Sequence, residues 1–316
     1  MKCFFKIAIL FFILTSCKDA IKNESKILAQ ENFEDIQFAE PKVTNSLIVT
    51  ERHDLLGYWI GNFEASLSQE QSDSIYKNEE YNPDVQFKIT FSIDKIKGDS
   101  IYGHSISAGN ITSFKGLLSD NALGFEFDVE ESKDEKTLGN YSAQISLNDS
   151  IMKGYWISDS SNEVKFSSWK FDLKKKLFVY DKNNKLYINF YNTNKLKKIT
   201  VTDTIDENEI RVYEDEEYFA TTEKVMQKNA SYDLLTPEFV SNLSKADIFI
   251  LRNSIFARHG FAFRDKQLRR YFEDYDWYMP VFGDIKGKLS ELEKENINLL
   301  IRYEKNAEEY YDTFGR

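Results

Sequence analysis

The feature that most constrains this chain is a two-residue apolar period that recurs through its first half. Val85, Phe87, Ile89, Phe91 and Ile93 alternate with Gln86, Lys88, Thr90 and Ser92. Successive strand side chains point to opposite faces, so such a run puts one face on a core and the other outside it. Phe125, Phe127 and Val129 repeat the pattern, as do Tyr141, Ala143, Ile145 and Leu147. Turn-forming residues separate the runs at Lys97-Gly98-Asp99, Ser119-Asp120-Asn121 and Asn148-Asp149. The spacing predicts eight strands, near 57–65, 85–96, 100–107, 111–118, 123–130, 138–148, 150–157 and 163–174, in meander order. Eight short antiparallel strands can close on themselves and lose their exposed edges, and a two-sheet sandwich is the alternative.

Leu56-Gly57-Tyr58-Trp59-Ile60-Gly61 resembles the first strand of lipocalin-like barrels, and Gly154-Tyr155-Trp156-Ile157 echoes it. Tyr58, Trp59, Trp156 and Trp169 line either an aromatic cup or an ordinary core, because small eight-stranded barrels are often filled by their own side chains.

The amino terminus reads as an address. Lys2 and Lys6 precede the eight apolar residues Ile7 to Leu14, far short of the roughly 20 that a spanning helix needs. Leu14-Thr15-Ser16-Cys17 resembles the lipobox of bacterial lipoproteins. The resemblance implies cleavage between Ser16 and Cys17 and diacylglycerol on Cys17; Lys18-Asp19 lacks the aspartate that signals inner-membrane retention in enteric bacteria, which favours the bacterial outer membrane, on its periplasmic side or at the cell surface. Each buried methylene adds about 0.8 kcal/mol, so two or three acyl chains hold firmly where one does not. Cys3 would leave with the signal, which gives a mature chain without disulfides or thiol ligands. Removing Lys2 and Lys6 from the 41 Lys+Arg leaves 39 against 52 Asp+Glu, a net of −13 that repels nucleic acid.

The expected organisation is a signal peptide at 1–16, a polar lipidated tether at 17–53 and a β-barrel-like domain at 54–175. A small β extension follows at 176–230, with strand-like pieces at 177–180, 186–190, 199–201 and 210–213 and a hairpin turn at Asp181-Lys182-Asn183-Asn184.

Near Leu243 the period becomes helical. Ser244 with Asp247 makes a capping box ahead of Ile248, Phe249, Ile250, Leu251, Ile255, Phe256 and Ala257, and Gly260 is placed to end the helix. Asp265 caps a second helix through Leu268, Tyr271 and Phe272, and Ser290 with Glu293 caps a third through Leu292, Ile297, Leu300 and Ile301. Leu251-Arg252-Asn253-Ser254-Ile255-Phe256-Ala257-Arg258-His259-Gly260-Phe261, Leu268, Tyr271-Phe272, Trp277-Tyr278-Met279-Pro280, Glu293, Asn296-Ile297 and Glu304 together resemble the YARHG domain over about 235–311. The resemblance implies a mainly helical extracytoplasmic module and no established reaction. Phe256 stands where the family has its leading tyrosine, which removes a hydroxyl and keeps a ring.

Arg252, Asn253, Arg258, His259, Trp277 and Tyr278 are the candidate binding residues. Two arginines on an apolar helix demand partners, because a buried unpaired charge is costly. Those partners are either internal, with Asp274, Asp276 or Glu304 in reach, or a carboxylate or glycan beside Trp277 and Tyr278. There is no Gly-x-Ser-x-Gly elbow, and no pair of histidines stands at zinc spacing. Neither a catalytic residue, a metal nor a cofactor is expected. The expected fold class is α+β and multidomain: an eight-stranded lipocalin-like barrel or sandwich, then a small helical YARHG-type domain. The expected function is a lipid-anchored cell-envelope module that binds an envelope glycan or protein, or gives structural support, and is not an enzyme. Two competing readings stay open: an envelope glycan hydrolase with paired carboxylates, and a carrier of apolar ligands in the barrel.

Overall fold

The computed structural model describes residues 47–77, 84–133, 136–147, 150–159, 165–206 and 209–314. The expected signal, Ser16, Cys17 and most of the expected tether lie outside these residues.

Eight strands form a closed antiparallel barrel in sequence order. They are β1 (Gly57–Ala65), β2 (Gln86–Lys97), β3 (Ser100–Ser107), β4 (Asn110–Asn121), β5 (Gly124–Lys133), β6 (Lys136–Ser146), β7 (Ile151–Ser158) and β8 (Ser168–Lys176). Closure comes from β1, where Trp59 faces Phe91 of β2 on one side and Lys175 of β8 on the other. The inward positions are those of the alternating runs, and they fill the lumen. Phe91 stacks on Phe114 at 4.1 Å and on Phe127 at 5.3 Å, and Phe63 stacks on Trp169 at 4.9 Å. Trp59 is fully buried and donates its Nε1–H to the Leu55 carbonyl at 2.9 Å.

Residues 47–53, expected in the tether, pack on the barrel. Val49 is buried and its N–H donates to Ser150 Oγ, while Arg52 bridges Asp99 and Asp120 at 2.7 Å each. The carboxylate of Asp54 accepts from the Thr50 and Glu51 amides and the Thr50 hydroxyl. A short helix not anticipated from sequence, α1 (Gln69–Lys77), joins β1 to β2. It is almost wholly polar, with Ile75 packed against the barrel core.

The chain leaves the barrel at Lys176 without continuing the sheet. Residues 177–190 are in neither helix nor strand, apart from a turn at 182–183. Next come β9 (Tyr191–Asp206) and β10 (Glu209–Ala220), which form a separate two-stranded sheet. The alternation at 186–190 therefore reflects burial of Leu186 and Phe190 in the helical core, and that at 177–180 the packing of Phe178 against the Met279 and Val281 cluster, not a sheet.

The helical module comprises α2 (Pro237–Val240), α3 (Lys245–Arg258), α4 (Lys266–Glu273) and α5 (Glu291–Phe314). All three expected caps are present. Ser244 and Asp247 form a capping box, Asp265 accepts from the Gln267 and Leu268 amides, and Ser290 exchanges hydrogen bonds with Glu293. Asp247 also accepts from Thr222 N–H at 2.6 Å and Thr222 Oγ at 2.9 Å, tying the module to the end of the ribbon. The core is centred on Ile248, Leu251, Ile255 and Phe272, and takes Leu186, Phe190, Val225 and Ala230 from before residue 235.

This module docks on the outer wall of the barrel. Tyr58 and Ile60, on the outside of β1, pack against Met279 and Val281. Beside them Lys88 Nζ donates to the carbonyls of Tyr275 and Tyr278 at 3.4 and 3.3 Å. Asp84 accepts from Arg269 and Arg270 at 2.8 and 3.2 Å.

Candidate functional site

The site is built around the carboxy-terminal end of α3, where the motif Phe256-Ala257-Arg258-His259-Gly260 ends the helix. Gly260 has φ +75°, a left-handed conformation that a side chain resists, and an added Cβ would meet Val281 at 2.6 Å and Phe178 at 2.8 Å. Its carbonyl accepts from the amides of Val281 and Phe282 at 2.8 and 2.9 Å. The motif glycine thus permits a close approach between the helix end and the loop that meets the barrel. Ala257 is buried, and Phe256 packs edge-on to Phe261 at 6.2 Å.

The two arginines go to different places. Arg252 makes a two-pronged pair with Glu304, at 3.0 and 3.2 Å. Of the three acids in reach by sequence, Glu304 is its partner, joining α3 to α5. Arg258 is only 2% exposed, and among the described residues its hydrogen bonds go to a carbonyl and hydroxyls, not to a carboxylate. Its Nε donates to the Asn184 carbonyl at 2.7 Å and its terminal nitrogen to Ser254 Oγ at 2.8 Å, while the guanidinium lies 5.9 Å from the Trp277 ring centre. Burial pushes Arg258 down to about 10, and the neighbouring Tyr180 and Glu293 oppose that shift.

His259 donates from Nε2 to both Glu293 oxygens, at 3.0 and 2.9 Å, and stacks on Tyr180 with ring centres 4.2 Å apart. The Glu293 side chain, fully buried, also accepts from Tyr180 OH at 3.0 Å and from Ser290 N–H and Oγ at 2.9 and 3.0 Å. Burial alone would raise this carboxyl, but the hydrogen bonds from His259, Ser290 and Ser231 outweigh it and hold it at about 2. Burial and the Glu293 charge push Tyr180 up to about 12. Glu293 is thus an ionised anchor on which donors converge, doubling as the cap of α5.

The other candidates face inward. Asn253 donates to the Phe249 carbonyl of its own helix at 2.9 Å. Tyr278 is buried and donates to the Phe261 carbonyl at 2.8 Å. Trp277 is half-buried against Tyr275 and Phe272, and its Nε1–H is buried without a partner. Arg258, His259 and Trp277 come together, whereas Arg252 and Asn253 stand apart from them.

What Arg258 and His259 gather is the strap of residues 177–190. Tyr180 covers His259, and the Asn184 carbonyl accepts from Arg258. Asn229 donates to the carbonyls of Lys182 and Asn184, Tyr271 OH donates to the Ile188 carbonyl at 2.8 Å, and Tyr275 OH accepts from Ile188 N–H at 3.1 Å. The module holds this segment mainly by its backbone, with Leu186 and Phe190 as apolar anchors. Sequence reasoning missed Tyr180, Asn184, Asn229, Tyr271 and Tyr275 in these roles, because an extended segment carries no sign of a distant side-chain partner.

Two further acids escaped notice. Glu131, buried in the barrel, accepts from Ser105 at 2.5 Å, Tyr141 at 3.2 Å and Trp156 at 3.0 Å, and burial raises its pKa despite these donors. Glu273 lies at the junction of module and barrel beside Lys88 and Arg269, and burial raises it to about 7. Of the expected aromatic cup, Trp59, Trp156 and Trp169 turn inward into packed core or onto Glu131, whereas Tyr58 turns outward to the module. Among the described residues, no group of three or more His, Cys, Asp or Glu is placed to hold a metal ion.

The YARHG domain family matches residues 222–305, starting early enough to include Thr222 and the buried Val225. No curated protein and no solved structure matches the chain. A closed β-barrel followed by a YARHG domain fits a non-catalytic or binding module.

Proposed function

We propose that this protein is a lipid-anchored component of the bacterial cell envelope, held on the outer membrane through Cys17, whose barrel and helical module serve as a non-catalytic binding or structural body. The observation that carries the non-catalytic reading is how the motif residues are used. Arg258 and His259 are buried, and their hydrogen bonds run to Asn184, Ser254 and Glu293 within the protein. Side chains committed in this way hold the strap between barrel and module, and a lumen stacked with Phe91, Phe114 and Phe127 supports a rigid body over a carrier. The anchor rests on Leu14-Thr15-Ser16-Cys17. Metabolic labelling with palmitate and membrane fractionation test it. Wild-type protein is expected to carry label and sediment with membranes, and Cys17→Ala to do neither; an unlabelled, soluble wild type would refute the anchor.

A further inference from the structure

The amino-terminal chain reaches the barrel at one particular end. That end is formed by the first residue of β1, the last of β8 and the connections from β2 to β3, β4 to β5 and β6 to β7. Residues 47–55 lie across it: Val49 N–H donates to Ser150 Oγ, Arg52 reaches the Gly98 carbonyl, Asp99 and Asp120, and Lys175 Nζ donates to the Asp54 carbonyl. Four aliphatic side chains stand in solvent here, with Leu123 82% exposed, Leu117 67%, Ile48 62% and Leu47 51%. Scattered singly such residues need no explanation, but four on one end of a barrel do. Leu123 is the clearest. It occupies the tip of the β4–β5 turn, a place that small polar residues usually take, and Asn121 Oδ1 accepts from the Leu123 and Gly124 amides, fixing the backbone that holds the leucine out. Lys97, Lys174 and Lys176 are exposed at the same end of their strands. The acids Asp99 and Asp120 are both met by Arg52 at 2.7 Å, so their charges are offset within the protein.

We infer that this end rests on the bilayer, with Leu47, Ile48, Leu117 and Leu123 entering the boundary between headgroups and acyl chains and the three lysines meeting lipid phosphates. The inference builds on the anchor proposed at Cys17 and adds which face of the body the anchor brings down. What selects a lipid surface is where the outlying chain ends. Residues 17–46, thirty in all, lie outside the described ones and join the barrel at Leu47, on the end that carries the exposed aliphatics. A chain of thirty residues spans at most about 100 Å, so acyl groups on Cys17 hold Leu47 within that distance of the bilayer. Contact is then an intramolecular event, for which a few aliphatic side chains suffice where a free protein would bind only marginally. Near an anionic leaflet each lysine strengthens the contact by about fivefold.

Fluorescence of the full chain in vesicles of phosphatidylethanolamine and phosphatidylglycerol tests this face. Acylation leaves the mature chain without a free thiol, so Leu123→Cys accepts a single polarity-sensitive label, and Leu234→Cys, 60% exposed on the helical module, serves as the reference. The label at 123 is expected to shift to the blue and to be quenched by brominated acyl chains, while that at 234 does neither. Lys97→Glu with Lys176→Glu should weaken the contact at least about twentyfold, and the blue shift should be lost. A label at 123 that behaves like the one at 234, or a shift indifferent to the lysine reversals, would overturn the proposal. So would a blue shift that grows with protein density and escapes bromine quenching, since a second copy would then cover this end. Mass analysis of Cys17 and flotation with the vesicles read the anchor separately. Acylated protein that floats with an unshifted label refutes the face and keeps the anchor. Unacylated protein whose label still shifts as vesicles are added refutes the anchor and keeps the face.

Discussion

Glu293→Gln tests the buried carboxylate on which the motif histidine, Tyr180 and the cap of α5 converge. The change keeps the shape of the side chain and removes its charge from a fully buried site where His259, Tyr180 and Ser290 all donate. A carboxyl lowered from 4.5 to about 2 favours the charged form by about 3 kcal/mol. The amide also turns an NH2 group toward other donors, and an unmet buried polar group adds about 1–3 kcal/mol. The variant should therefore lose about 4–6 kcal/mol at pH 7, overlapping the range of about 3–5 kcal/mol found when one partner of a buried pair is removed. Urea unfolding followed by near-ultraviolet circular dichroism would register this as a lower midpoint at unchanged slope. The pH dependence has a definite sign. Since the folded carboxyl lies below its unfolded value of 4.5, its contribution is complete above about pH 4.5 and is lost as pH falls toward 2. The gap between parent and variant should narrow across that window. A variant within about 1 kcal/mol of the parent at pH 7, or a gap that stays constant as pH falls from 6 to 3, would refute the reasoning.

Glu273 gives the opposite sign at the junction of module and barrel. Its folded pKa is raised to about 7, so its stabilisation is complete below about pH 4.5 and is lost as pH rises through 7. Melting temperatures between pH 5 and 8 should therefore fall more steeply in the parent than in Glu273→Gln, and parallel curves would contradict this. In the barrel, Trp59→Ala removes a fully buried indole and its hydrogen bond to Leu55, and should cost about 3–5 kcal/mol by chemical denaturation. A loss below about 1 kcal/mol would show that the lumen is not packed around Trp59.

The barrel strands and helix caps were legible for one reason: their signals are local. Strand alternation repeats every two residues, and each cap is decided within about three. The expected strand at 100–107 and the capped helix starts at Ser244, Asp265 and Ser290 match the structure. Helix α1 escaped because Ile75 is nearly its only apolar anchor. Glu131 escaped because it is a carboxylate at the inward position that continues Phe125, Phe127 and Val129, where the alternation by itself leads one to expect an apolar side chain.

The sequence alone determined which segments alternate, which coil and where each helix begins, because those choices are settled between near neighbours along the chain. Tertiary structure decided what those segments meet. Leu177 to Phe190 has the alternation of two short strands, but its hydrogen bonds go to Arg258, Tyr271 and Tyr275, some 70 to 90 residues away, so it becomes a strap. The same distance separates His259 from Tyr180, and only folding reveals that the motif histidine stacks beneath a ring and shares its carboxylate with it. A periodic pattern states that a face will be buried; the partner that buries it is chosen by packing across the whole chain.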